Sequence, residues 1–313
     1  VNKKKQKNFD LRRALAPSSS KPTVSKSFLL LFFKKEALSS LTLLSLPAVW
    51  FGGLYLAAIG AMFVTSFWTV DDFSGALIPG FSLVNFRALA ADPTYARIAA
   101  RTIGIAAAVT VTDMVLAWPV AFAMVRLARP KLRAAMMAAV LVPLWSSYLA
   151  RVYAWRLILA HHGVLNWALA EIGLPGLHIG YSNWAMWIVF SYLWLPFMIL
   201  PVAAAVERIP PSLLEASADL GARGFRTFRR VMLPLALPGM VAGAISTFSL
   251  TLGDYVTPML VGGEGSDFIG NVVYSNVGVT NDIPFAAAYA VLPLVVMAGF
   301  LLIARRLGAF DAL

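Results

Sequence analysis

The chain is 313 residues long, 59% hydrophobic and only 13% charged, with a mean hydropathy of +0.75. A soluble globule of this composition would carry large apolar patches on its surface, whereas helices packed in lipid need no polar cover, so a water-soluble fold is excluded and a polytopic membrane protein is predicted. The absence of cysteine excludes disulfides, thiolate metal sites and cysteine nucleophiles, and the net charge of +11 has to be explained by where the basic residues lie.

In chain order, residues 1–27 carry Lys, Ser and Pro without an apolar period and read, with the residues up to 40, as a partly disordered cytoplasmic tail. Phe28 to Phe33 is too short for the apolar core of a signal peptide and runs into Lys34, Lys35 and Glu36, so the first span is expected to be retained as the targeting signal. A helix crossing the hydrocarbon core needs about 20 mostly apolar residues. Six stretches qualify, at about 41–67, 98–125, 133–157, 184–206, 235–259 and 285–304. They predict an all-α integral membrane domain over 41–306 and a short cytoplasmic C-terminus over 307–313. Pro119, Pro143, Pro196, Pro201 and Pro238 fall inside them, which membrane helices tolerate because neighbours re-satisfy the freed carbonyls.

Six spans put both termini on one side. The segments on that side, 1–40, 126–133, 207–234 and 305–313, hold 21 of the 26 Lys and Arg residues. Arg87, Arg97, Arg101, Arg151 and Arg156 make up the rest. The positive-inside rule then makes the termini cytoplasmic. Topology accounts for the basic charge, and no nucleic-acid partner is expected.

The segments on the other side, 68–97, 158–183 and 260–284, are longer than turns. The last carries Gly262, Gly263, Gly265 and Gly270, which suit either a surface for a partner or ligand or a flexible connector. His161 and His162 are adjacent and poorly disposed to share one metal, so no metal site is expected. No repeat relates the two halves, which disfavours the inverted-repeat secondary transporters.

The segment 207–234 is organised. Pro210 and Pro211 suit a helix start, Ser212 to Leu220 is a run of helix formers, and Gly221 supplies the stop. Leu213, Ser217 and Leu220 share one face of this short helix, and Glu215 with Asp219 marks an acidic side. Phe225 and Phe228 then alternate with Arg226, Arg229 and Arg230. Such an amphipathic loop needs a cover for its apolar face, either lipid or the groove of a partner.

Glu215-Ala216-Ser217, Gly221 and Val231-x-Leu233-Pro234 resemble the EAA loop of bacterial ABC importer permeases, EAA-x3-G-x9-I-x-LP, with Ser217 replacing an alanine and Val231 an isoleucine. The resemblance runs from about residue 41 to 306. Ser147 to Trp155, Leu195-Pro196-Phe197, Leu200-Pro201 and Gly253 to Pro258 are similar to the spermidine/putrescine permeases, more narrowly to the first of their two permease subunits. The resemblance implies a six-helix type I (MetI-like) permease with a cytoplasmic coupling helix. It implies as partners a second homologous permease, two ATP-binding subunits, a periplasmic solute-binding protein and the bilayer of the bacterial inner membrane. The chain has no G-x-x-x-x-G-K-[ST] run, so it is not itself expected to be an enzyme, and ATP and Mg belong to the ATPase subunits. Glu215, Ala216, Ser217, Asp219, Leu220, Gly221, Leu233 and Pro234 are the coupling residues the resemblance implies.

Asp113 and Asp254 are the only acids within predicted spans, and a carboxylate in hydrocarbon costs at least about 2.5–3.5 kcal/mol. With Tyr255, Trp118 and Trp155 they are candidates to line a path for a cationic solute, since aromatic faces and carboxylates serve an ammonium group that sheds water. Alternatively they pair with Arg101, Arg151 or Arg156, or cap a broken end of span five at Gly253. A reading from another class is a stand-alone ion- or proton-coupled transporter with Asp113 and Asp254 as coupling acids. Within the superfamily, an opine, thiamine or an iron complex are alternative substrates to polyamines.

Overall fold

The computed structural model describes residues 45, 47–71 and 73–306. The predicted N-terminal tail and the C-terminal residues 307–313 lie outside them. The chain divides into two units, one ending at Ala61 and one beginning at Met62. The helices are α1 (Val49–Thr65), which crosses that boundary, α2 (Val84–Ala91), α3 (Pro93–Leu127), α4 (Pro130–Trp145), α5 (Tyr148–Leu159), α6 (Val164–Glu171), α7 (Asn183–Glu207), α8 (Pro211–Asp219), α9 (Gly224–Leu252), α10 (Val256–Val261), α11 (Ile269–Gly278) and α12 (Ile283–Arg306). A two-residue hairpin, β1 (Thr69–Val70) with β2 (Leu77–Ile78), is a small departure from the all-α expectation. Its turn is built by Asp71, whose Oδ1 accepts from Ser74 N at 2.7 Å, a bond that holds this carboxyl below its usual range.

Four helices of the described residues, α3, α7, α9 and α12, are long and apolar enough to cross a membrane. The other two predicted spans take other forms. Span three is broken: α4 and the stretch Tyr148–Glu171, which holds α5 and α6, meet at a bend of 97°. Pro143 removes a helical donor, and the hydroxyl of Ser146 takes the Pro143 carbonyl at 2.7 Å, so Ser146 and Ser147 turn extended. The first span contains α1, before which residues 45, 47 and 48 are also helical, with residues 41–44 and 46 outside the description. Span five also ends early, at Leu252, and the chain restarts as α10.

Helix starts follow local chemistry. Asp92 Oδ1 accepts from Thr94 N at 2.8 Å ahead of Pro93, which holds the Asp92 carboxyl below its usual range and opens α3. Arg129, preceding Pro130, is forced extended and separates α3 from α4. Ser182 accepts from Ala185 N at 3.2 Å to open α7.

The core sits on α7. Its Met198, Ile199, Val202, Ala203 and Val206 pack with Ala117, Ala121 and Met124 of α3 and with Ala236, Met240 and Ala244 of α9. Its Ala185, Met186, Val189, Phe190, Leu193 and Trp194 form a second cluster with Val109, Val152, Val261 and Phe268. Gly239 and Gly243, a small-xxx-small pair on α9, let the two backbones approach. A Cβ at Gly239 would overlap Ala205 Cβ and lie 2.6 Å from the Pro201 carbonyl, and one at Gly243 would lie 2.6 Å from Met198 Sδ.

In the glycine-rich segment after α10, Gly265 has a φ of +73° and open space around it, whereas Gly263 and Gly270 are tightly packed. A Cβ at Gly263 would strike the carbonyl of Tyr181, and one at Gly270 would lie 3.0 Å from the carbonyl of Asp254. These glycines allow close packing of backbone on backbone.

Candidate functional site

Two places in the fold concentrate the polar groups singled out by the sequence. The first is the loop between α7 and α9. Pro211 stands at the first position of α8, and the helix ends at Gly221, whose φ of +72° suits glycine. Gly221 N donates to Ala218 O at 2.8 Å and Ala222 N to Ser217 O at 3.0 Å, the paired bonds of a left-handed helix stop. A Cβ at Gly221 would meet nothing within 4 Å, so the demand there is conformational and not steric. Glu215, Ala216 and Asp219 are exposed, as are Leu213, Leu220 and Phe225, with Leu220 at 88%. Ser217 turns inward, and its hydroxyl bonds the Thr227 hydroxyl at 2.9 Å. The departure from alanine at this position therefore supplies a tie between α8 and the first turn of α9.

Leu233 and Pro234 continue α9 without a break. The chain passes them through a π-turn, Phe228–Met232, in which Leu233 N donates to Phe228 O. That looser winding leaves room for a proline that offers no donor. Phe228 itself packs edge-on against Trp118 of α3, with centroids 4.9 Å apart.

The second place joins the two helix breaks. Asp254 is buried, 9% exposed, and its Oδ1 accepts from Val256 N at 2.7 Å and Thr257 N at 3.1 Å, capping α10. Its Oδ2 accepts from Thr257 Oγ1 at 3.2 Å and from the phenol of Tyr148 at the start of α5. The Tyr148 hydroxyl also shares a 2.8 Å bond with Thr257 Oγ1, and its ring stacks on Trp194 of α7 at 5.9 Å. The carboxylate thus caps the helix after the break, not the end at Gly253. Tyr148 was not among the residues expected at a site; the signal for it was Pro143 with Ser146-Ser147, which mark the break that delivers it.

The five path candidates have separate neighbours. Tyr255 is 37% exposed and stacks on Tyr274 at 4.9 Å. Trp118 belongs with Phe228. Trp155 lies against Tyr192 and lines, with Trp187, Ser191 and Leu116, a cavity of 360 Å³ between α3, α5 and α7. Asp113 is fully buried in α3 and neither carboxylate oxygen has a hydrogen-bond partner. Among the described residues, none of the arginines that could pair with the two aspartates forms an ion pair with either of them. Arg101 donates to Asp267 O at 3.2 Å and Arg156 to Tyr181 OH at 3.1 Å, while Nε of Arg151 is buried and unbonded. Among the described residues the ion pair is Arg133–Glu207, at 2.7 Å. His178 joins His161 and His162 ring on ring, its centroid 4.8 Å from that of His161. His178 stacks face to face on His161, whereas His162 meets His161 edge-on, with centroids 4.6 Å apart.

Residues 22–310 match the family of the binding-protein-dependent transport system inner membrane component. The chain belongs to that family. It is a permease subunit of an ABC importer, of the multi-pass inner-membrane type. The permease is 45% identical over 295 residues to the inner membrane ABC transporter permease protein YdcU of Escherichia coli K12, an alignment covering 90% of this chain and 94% of that one. It is 33% identical over 244 residues to the spermidine/putrescine transport system permease protein PotB of the same organism, covering 77% of this chain and 88% of PotB. In fold it is similar to a chain of a bacterial alginate ABC transporter solved with an alginate pentasaccharide-bound periplasmic protein. The TM-score is 0.69 at 18% identity, over 90% of this chain and 96% of that chain. The resemblance read from the sequence is shown by these matches.

Proposed function

We propose that this permease carries a polyamine or a related small cationic or amino compound across the inner membrane, delivered by a periplasmic binding protein and driven by two ATP-binding subunits on the cytoplasmic side. A second homologous permease completes the pathway, both termini are cytoplasmic, and ATP and Mg are bound by the ATPase subunits alone. The observation that carries the coupling role is α8 itself. A short helix anchored only through Leu214 and Ser217, with Glu215 and Leu213 exposed and Leu220 and Phe225 exposed in the turn after it, has the form of a plug for a groove. Glu215 would pair with a basic group in that groove, and Gly221 permits the turn that returns the chain to α9. The likeness to PotB supports the substrate class.

Uptake of labelled putrescine and spermidine tests the proposal, in cells expressing the intact system and in cells lacking its binding protein. Uptake should require the binding protein and be abolished by Glu215→Ala or Gly221→Val with membrane insertion intact. Gradient-driven uptake by the purified chain alone would overturn the ATP-driven reading. Transport that survives both substitutions would overturn the role of α8.

A further inference from the structure

The start of α8 is held by a residue from another helix. α7 ends at Glu207, and the carbonyls of its last turn lack full helical partners, Val206 O taking only a long 3.3 Å bond from Ile209 N. Arg126, in the π-turn Ala123–Leu127 that closes α3, donates through Nη2 to Val206 O at 2.7 Å and also to Ile209 O. Both acceptor residues are buried, Val206 at 0% and Ile209 at 2% exposure, so water does not compete for these bonds. The guanidinium therefore caps the exit of α7 from the side, immediately before Pro210 turns the chain into α8. The nearby Arg133–Glu207 pair is 37% and 56% exposed, and pairs of that kind hold little. The far end of α8 is tied to α3 as well, through Ser217–Thr227 and then Phe228 on Trp118. Both ends of the loop thus converge on the last turns of one helix, which also carries the unpartnered Asp113.

We propose that Arg126 is a positioning residue that fastens the start of α8 to α3, so that displacement of α8 by a partner is passed to α3 and not absorbed at the elbow 207–210. This rests on the coupling role proposed above. Because this chain has no cysteine, a pair of cysteines can be introduced for spin labels with no background from the chain itself, in an assembly whose other subunits are made cysteine-free. Leu127→Cys and Arg223→Cys place labels at exposed positions on α3 and on the loop. In the assembled transporter the distance between them should be the same without nucleotide and with ATP trapped, and in Arg126→Gln it should change between the two states. Uptake per ATP hydrolysed should fall about tenfold in Arg126→Gln, the scale of one lost charge-assisted hydrogen bond, with partial recovery in Arg126→Lys. A distance that already changes with nucleotide in the unsubstituted chain overturns the clamp, and this arm decides the matter even if Arg126→Gln does not assemble. Unaltered uptake per ATP in Arg126→Gln also overturns it. Failure of the unsubstituted chain to bind ATP-binding subunits overturns the coupling reading itself and the clamp with it.

Discussion

Tyr148 donates its phenolic hydrogen to the carboxylate of Asp254, and each residue stands just past a break in its own helix, Tyr148 after Ser146-Ser147 and Asp254 after Leu252. The bond is a cross-brace between two interruptions. Tyr148→Phe keeps the ring on Trp194 and removes the brace. It should destabilise the detergent-solubilised protein by about 1.5–3 kcal/mol, the range for hydrogen bonds to charged groups. A double-mutant cycle with Asp254→Asn, read by thermal unfolding, should show coupling between the two; additive effects would refute the brace.

The α7–α9 contact predicts an order of severity. At Gly239 a methyl group meets Ala205 Cβ and the Pro201 carbonyl, neither of which can move alone, whereas at Gly243 its nearest neighbour is Met198 Sδ, the mobile part of a flexible side chain. Gly239→Ala should therefore cost more stability than Gly243→Ala, within the about 1–3 kcal/mol typical of overpacking. Equal unfolding temperatures for the two would contradict this packing.

Ser217→Ala restores the alanine of the EAA pattern and removes the bond to Thr227. Thr227 is only half-buried and can turn to water, so the loss should lie near the lower end of about 0.5–1.5 kcal/mol. Uptake should change little, because the face that carries Glu215 and Leu220 is untouched. A large fall in uptake at normal expression would show that the tie matters to transport.

Asp113 is the converse case. A fully buried carboxylate with neither oxygen bonded is an unsatisfied group, costing on the order of 1–3 kcal/mol or more. Asp113→Leu should raise the unfolding temperature and, if the residue serves the path proposed from the sequence, lower uptake. Unchanged uptake in a stabilised variant would remove Asp113 from that path.

The sequence discloses much of this and withholds the rest for identifiable reasons. The extent of α3, α7 and α12 follows from apolar length alone, and α8 from Pro211, its helix formers and Gly221. The break in span three does not, because a hydropathy window averages over Ser146-Ser147 and sees only the apolar residues on both sides. For the same reason apolar length runs span five on through Asp254 to residue 259, past its end at Leu252. The path candidates were grouped by chemical type, and chemical type does not fix neighbours. Trp118 finds its partner in Phe228, in a distant part of the chain, and Tyr255 in Tyr274, on the second helix after it. Gly239 and Gly243 were readable as a small-xxx-small motif, whereas nothing local identifies Arg126, whose acceptors lie 80 and 83 positions away.

The brace between the two breaks also bears on biogenesis. Asp254 leaves the ribosome 106 residues after Tyr148, so the bent third segment is delivered to the translocon long before the carboxylate that completes it exists. The interruption bonds its backbone locally, Ser146 N to Pro143 O and Arg151 N to Ser147 O at 3.2 Å each, but the side-chain tie that fixes its angle forms only when the fifth segment arrives. Maturation of this subunit is then a late, concerted step, and chains truncated before residue 254 should be substrates for membrane quality control.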